Sequence, residues 1–170
     1  IDSTMGFTAL DGLPMGTRSG QIDPGVLLHL LTAEGFDVAA LTRLLYHESG
    51  LKGLSGLSSD MRALEAAGTA EAAEAIAYFV YRIRRELGAL AAVLGGLDAL
   101  VFTAGIGENS PRIRAAVCDG MDWLGIALDA AANARGAMAI SAPESRVRVL
   151  RLATDEERMI AIETLRLLRG

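Results

Sequence analysis

The sequence predicts an α/β fold, and three observations predict it. The strongest periodic signal in the 170 residues is a helical stripe, Ile76, Val80, Ile83, Leu87, Leu90 and Leu94, spaced by three and four residues. The Gly95-Gly96 pair breaks that helix, and Leu97 to Thr103 then reads as a short buried strand. Helical and strand patterns keep alternating from there to the end of the chain, as they do in α/β proteins.

The elements follow in order. The stretch through about Pro24, with its "GLPMGTRSGQIDP", is rich in glycine and threonine without a sustained period, and reads as turns and loop with short strands. Apolar residues recur at helical spacing from Gly25 to Leu31 and from Asp37 to Tyr46, with Gly35 and Gly50 as punctuation. In "SGLSSDMRALEAAG" a serine and an aspartate precede a short helix that Gly68 ends. After the long helix and the strand, a helix is expected from Pro111 to about Cys118. "MDWLGIALD" reads as a short turn or edge segment, Ala137 to Ser141 and Arg146 to Leu152 as strands, and "TDEERMIAIETLRLLR" as a last helix.

Composition limits the function. With 51% hydrophobic residues the chain has enough apolar material for one well-buried domain. A net charge of −5 and a pI near 5.0 lack the basic face that a sequence-independent grip on nucleic acid needs. The longest apolar segment, about residues 69 to 94, carries Glu71, Glu74, Arg82, Arg84, Arg85 and Glu86, so it reads as a helix in water rather than in a membrane. The single cysteine, Cys118, cannot form an intrachain disulfide, which suits a cytoplasmic location. His29 and His47 read as packing or surface residues. The sequence starts at Ile1 without a basic segment followed by an apolar one, and reads as a piece of a longer chain without a secretion signal.

Four stretches can carry chemistry. In "VFTAGIGENSP" a strand ends in two glycines, which let the chain turn sharply and a ligand approach, and Asn109 or Ser110 caps a helix opened by Pro111. The stretch reads as a plain turn or as a ligand loop. It fits neither a dinucleotide fingerprint, which needs glycine where Ser110 stands, nor a phosphate loop with a lysine after its last glycine. In "MGTRSGQIDP" Arg18 lies between Gly16 and Gly20; its planar, permanently charged fork suits either a phosphoryl group or a solvated turn. In "ATDEERMIA" Thr154 and Glu157 fit a capping box, which leaves Glu156 free to meet a cation such as Mg2+ or simply to favour the helix start. In "SSDMR" Asp60 and Arg62 stand at a helix start, as a cap with solvated charge or as contacts to a sugar or base.

Taken together and in this order, "DSTMGFTALDGLPMGTRSGQIDP", "SSDMR", "VFTAGIGENSPRIR" and "ATDEERMIA" resemble the C-terminal part of the acetate and propionate kinase family, over nearly the whole chain. The resemblance implies the C-terminal lobe of a two-lobed ribonuclease H-like kinase, of the superfamily shared by sugar kinases, heat-shock chaperones and actin. It implies residues 1–154 as the nucleotide-binding lobe and 155–170 as a helix packing on an N-terminal lobe. By the same resemblance Arg18 stabilises the phosphoryl group in flight. Asp60, Met61 and Arg62, with Gly105, Ile106, Gly107, Glu108 and Asn109, line the adenosine pocket, and Glu156 is the magnesium carboxylate. The implied reaction is reversible: ATP and acetate give ADP and acetyl phosphate, with Mg2+ as cofactor, in a cytoplasmic homodimer.

The same resemblance places a phosphate-contacting loop, a catalytic aspartate and substrate-pocket histidines ahead of Ile1, so the 170 residues alone are expected to lack kinase activity. Propionate or butyrate is an alternative acceptor, since hydrophobic pockets separate such acids only modestly. A purely structural or dimerising lobe is the rival reading, and a dinucleotide oxidoreductase a distant third.

Overall fold

The computed structural model describes residues 1–168. The chain divides into two compact units, Ile1–Gly96 and Leu97–Gly170.

The first unit contains an irregular segment followed by helices. Residues 1–23 form no regular element. Helix α1 spans Pro24–Thr32 and α2 spans Val38–His47. Each starts where an aspartate caps it: Asp23 accepts from the Gly25 N–H at 2.8 Å and Asp37 from the Ala40 N–H at 2.7 Å. Helix α3, Gly50–Ser55, forms where the sequence suggested only punctuation, because Gly50 adopts φ +61° and opens the helix. Helix α4 spans Met61–Ala67 between the Asp60 cap and a left-handed Gly68, as the sequence pattern predicts.

Helix α5, Ala70–Leu94, is the long helix of the stripe, capped by Thr69 and ended by left-handed Gly95. Its buried face is Ala72, Ala75, Ile76, Phe79, Val80, Arg82 and Ala91, against which α3 and α4 pack. The expected stripe therefore forms a core in its first half only. Ile83, Leu87 and Leu90 are half-buried, and Leu94 is exposed.

The second unit is built on a parallel pair, β1 Ala99–Phe102 and β2 Arg148–Arg151, with Leu100 opposite Val149. Leu100 and Val149 are both buried. The chain between them forms α6 Ala104–Asn109, α7 Pro111–Cys118, a 3-10 turn at Asp122–Leu124 and α8 Ala130–Ala134. The strand expected at Ala137 to Ser141 is reduced to isolated bridges. Ala139 pairs antiparallel with Leu150 and Ser141 with Leu128, so the partner changes within two residues and no ladder builds up. The last helix, α9 Glu156–Leu168, buries none of its residues.

Candidate functional site

In the first unit the arginine loop is anchored residue by residue. The Met15 N–H donates to the Arg18 carbonyl, and the Gln21 N–H donates to Gly12 at 2.9 Å, which closes the neck of a compact loop. The start of α3 holds the middle of the loop: Ser49, Leu51 and Lys52 N–H groups donate to the Thr17, Met15 and Gly16 carbonyls at 2.9 to 3.0 Å. The loop thus takes backbone donors that would otherwise lack partners at a helix N-terminus. The Thr17 hydroxyl donates to the Tyr46 carbonyl at 2.8 Å, and the Arg18 guanidinium carbon stands 6.0 Å from the Tyr46 ring centre.

The Arg18 side chain is half-buried and pairs with no carboxylate among the described residues. Its charge remains available to an anion. The same loop touches the second predicted segment, because a Cβ at Gly16 would come within 2.9 Å of the Ser59 carbonyl. The arginine loop and "SSDMR" are therefore neighbours, though 42 residues separate Arg18 from Asp60 in the chain.

Asp60 caps α4 through its Arg62 N–H contact at 2.8 Å and also binds the Arg62 side chain, with Nη2 to Oδ2 at 2.8 Å. That side-chain hydrogen bond leads the effects that lower the Asp60 pKa to about 2. The pair lies on the surface, with the Arg62 side chain 85% exposed. Met61 between them is 4% exposed and belongs to the core. The three residues thus combine a fixed surface ion pair with an internal anchor.

In the second unit "TAGIGEN" is a helix rather than an open loop. The sharp turn after β1 is made by Ala104, at φ 57°, and neither Gly105 nor Gly107 has a positive φ. Gly107 provides clearance. A Cβ at Gly105 would meet nothing within 4 Å, while one at Gly107 would press on the Phe102 backbone at 3.3 Å. No side chain caps α6, and the Asn109 amide donates to the Gly105 carbonyl at 2.8 Å. Ser110 rather than Asn109 caps α7, accepting from the Ile113 N–H at 3.1 Å.

The expected capping box at Thr154 does not form. Asp155 caps α9, accepting from the Arg158 N–H at 2.9 Å, and Thr154 turns to Glu108 instead. Its N–H and hydroxyl both donate to Glu108 Oε1, at 2.9 and 3.0 Å. These two bonds lead the effects that hold the Glu108 carboxyl below the usual carboxylate range, with help from the Ala104 N–H and the Arg151 charge. The Asp155 cap leaves Glu156 in the first turn of α9, exposed and without a side-chain partner among the described residues.

Two buried arginines were not singled out as site residues from the sequence. Arg114, 1% exposed, donates from Nη1 to the Gly107 and Glu108 carbonyls, both at 2.9 Å, and from Nε to Asn133 at 2.7 Å. It fastens the end of α6 to α8. Arg82, 4% exposed, binds both ends of the arginine loop from α5. Each stands on an apolar helical stripe, Arg114 between Ile113 and Val117 and Arg82 after Phe79, and a charge at a core position of the period was the signal available.

Against this geometry the comparisons with known proteins are specific. The Acetokinase family model matches residues 1–162, and the chain belongs to that family. Acetate kinase from Methylocella silvestris is 62% identical over 168 residues, which are 99% of this chain and 42% of that protein. Acetate kinase from Nitrobacter hamburgensis is 59% identical over 99% of this chain and 42% of its own length.

The crystal structure of Porphyromonas gingivalis acetate kinase superposes with a TM-score of 0.92 at 46% identity, over 99% of this chain and 44% of that one. A propionate kinase from Francisella tularensis gives 0.89 at 39% identity, over 95% of this chain and 42% of that one. The chain thus spans less than half the length of the relatives it matches. The α/β lobe of an acetate kinase-type, ribonuclease H-like fold, expected from the resemblance, is what the structure contains.

Proposed function

We propose that the chain is the nucleotide-binding lobe of a carboxylate kinase that transfers a phosphoryl group reversibly between ATP and acetate. The observation that carries this reading is Arg18, a half-buried guanidinium without a carboxylate partner among the described residues, held in a loop fixed at its neck and its middle. Phosphoryl transfer needs little covalent chemistry from the protein and depends on positioned positive charge. A fixed, unpaired arginine supplies that without having to break an ion pair first.

The remaining roles follow the family assignment. Asp60, Met61 and Arg62, and Gly105 to Asn109, are the proposed adenosine contacts. In support, Arg62 is exposed and oriented by Asp60, and Gly105 presents backbone without side-chain cover. Glu156 is the proposed magnesium carboxylate. Its oxygens have no partner among the described residues, and Mg2+ commonly takes one or two carboxylates with water and phosphate oxygens. When bound, the ion would neutralise phosphate charge.

The exposed apolar residues of α9, Met159, Ile160, Ile162, Leu165 and Leu168, support the assignment of 155–170 as a helix that packs on an N-terminal lobe, with 169–170 outside the described residues. A cytoplasmic homodimer completes the proposal. Among the described residues no helix is long and apolar enough to cross a membrane. Titration calorimetry with Mg-ADP tests the reading: saturable heat at millimolar ligand is expected. Its absence from a folded sample would leave only a structural or dimerising lobe.

A further inference from the structure

Arg82 is buried in α5, 61 residues away in sequence from Gln21 and 70 from Gly12, yet its guanidinium collects both ends of the loop that carries Arg18. Nη2 donates to the Gly12 carbonyl at 3.3 Å and to Gln21 Oε1 at 3.3 Å, and Nη1 donates to the Gln21 carbonyl at 3.4 Å. Gly12 and Gln21 are also the residues whose backbone hydrogen bond closes the loop's neck. Arg82 is itself oriented. Nη1 also donates to the Tyr78 hydroxyl at 3.1 Å, its guanidinium carbon lies 5.9 Å from the Tyr78 ring centre, and Glu86 Oε1 is 3.9 Å from Nη2.

An arginine 4% exposed is expensive to bury, and one of its donors, Nε, has no partner among the described residues. Apolar packing alone would be better served by leucine or methionine. What only a planar fork provides at this position is simultaneous donation to two carbonyls that stand nine residues apart in one loop.

We propose that Arg82 is a positioning residue for phosphoryl transfer: it sets the neck of the Gly12–Gln21 loop and thereby the place of the Arg18 guanidinium. This rests on Arg18 acting on the phosphoryl group. A small displacement of such a group costs rate far more than binding, about a hundredfold for 1 Å. Lysine cannot replace the fork, because one ammonium on a flexible stem cannot hold both carbonyls in a fixed plane.

The test has two arms. In the chain itself, hydrogen exchange of the Gln21 N–H reads the neck directly, whatever the chain's activity. In a fusion of the Methylocella silvestris N-terminal segment to this chain, the kinetics of acetyl phosphate formation read the consequence, and an inactive unsubstituted fusion would count against the functional reading rather than against Arg82. Arg82→Met and Arg82→Lys are expected to speed Gln21 exchange about tenfold or more, and to lower kcat about a hundredfold with KM for ATP within about twofold.

Tyr78→Phe, which removes only the hydroxyl that orients the fork, is expected to lower kcat by a few fold in the same pattern and remains decisive if the Arg82 variants do not fold. Unchanged Gln21 exchange in folded Arg82 variants would overturn the proposal. So would kcat within twofold of the unsubstituted fusion in every folded variant, or a loss confined to KM.

Discussion

A methyl group at Gly50 would collide with the Met15 and Arg18 carbonyls, and the residue's φ of +61° is itself costly for any side chain. Gly50→Ala should therefore destabilise the chain by about 2 kcal/mol or more, read as a lower urea midpoint. Because the collision is with the arginine loop, the Met15 and Ser19 amides should also exchange faster in that variant.

Cys118 is the chain's single thiol. It is 6% exposed, and burial pushes its thiol up to about 12 from an ordinary 9.0, against the opposing charge of Arg114. Folding thus favours the neutral thiol. Its contribution is complete below pH 9 and is lost as pH rises towards 12. The urea midpoint of the parent chain should fall more steeply above pH 9 than that of Cys118→Ala. A thiol reagent at pH 8 should react with Cys118 at least about a hundredfold more slowly than with free cysteine.

At the scale of elements, Glu108 and Thr154 join α6 to the entry of α9 through two hydrogen bonds onto one carboxylate oxygen. The Glu108 carboxyl lies below its ordinary value of 4.5, so its contribution is present above that value and disappears as pH falls through the lowered one. The Thr154 amide proton should shift with a midpoint below 4.5, and should not titrate in Glu108→Gln, whose amide oxygen still accepts. Thr154→Val removes one of the two donors and should raise exchange at the start of α9, whereas Thr154→Ser should not.

Legibility in the sequence also varies at this scale. Helices α1, α2, α4, α5 and α7 were legible because each has a capping residue, an apolar period or a terminal glycine within the segment itself. Helix α3 was not, since its first residue is a glycine whose conformation is fixed by a carbonyl 35 residues earlier, that of Met15. The sequence points to the glycines for the turn that Ala104 makes, because glycine is the residue that usually adopts a positive φ. The Thr154 cap followed local spacing, and a carboxylate 46 residues away outcompeted it.

At the scale of the whole molecule, the long family motifs made membership legible, while the buried arginines that hold them did not stand out. Arg82 acts on a loop 61 to 70 residues away and Arg114 ties the end of α6 to Asn133 of α8, and spacing alone does not disclose such contacts. The chain spans 42% of its Methylocella silvestris relative, and its last helix exposes an apolar face. Purified alone, it should bind Mg-ADP yet form no measurable acetyl phosphate. Turnover by the chain itself would show that the N-terminal lobe is dispensable.

Acetyl phosphate formation by the fusion with the Methylocella silvestris N-terminal segment, with Arg18 intact and as Arg18→Ala, tests the role of Arg18. With Arg18, steady turnover is expected. With alanine, kcat should fall about 10³-fold or more with little change in KM for ATP, the pattern for removal of a charge that acts mainly in the transition state. An Arg18→Ala fusion that folds and turns over within about tenfold of the parent would contradict that role.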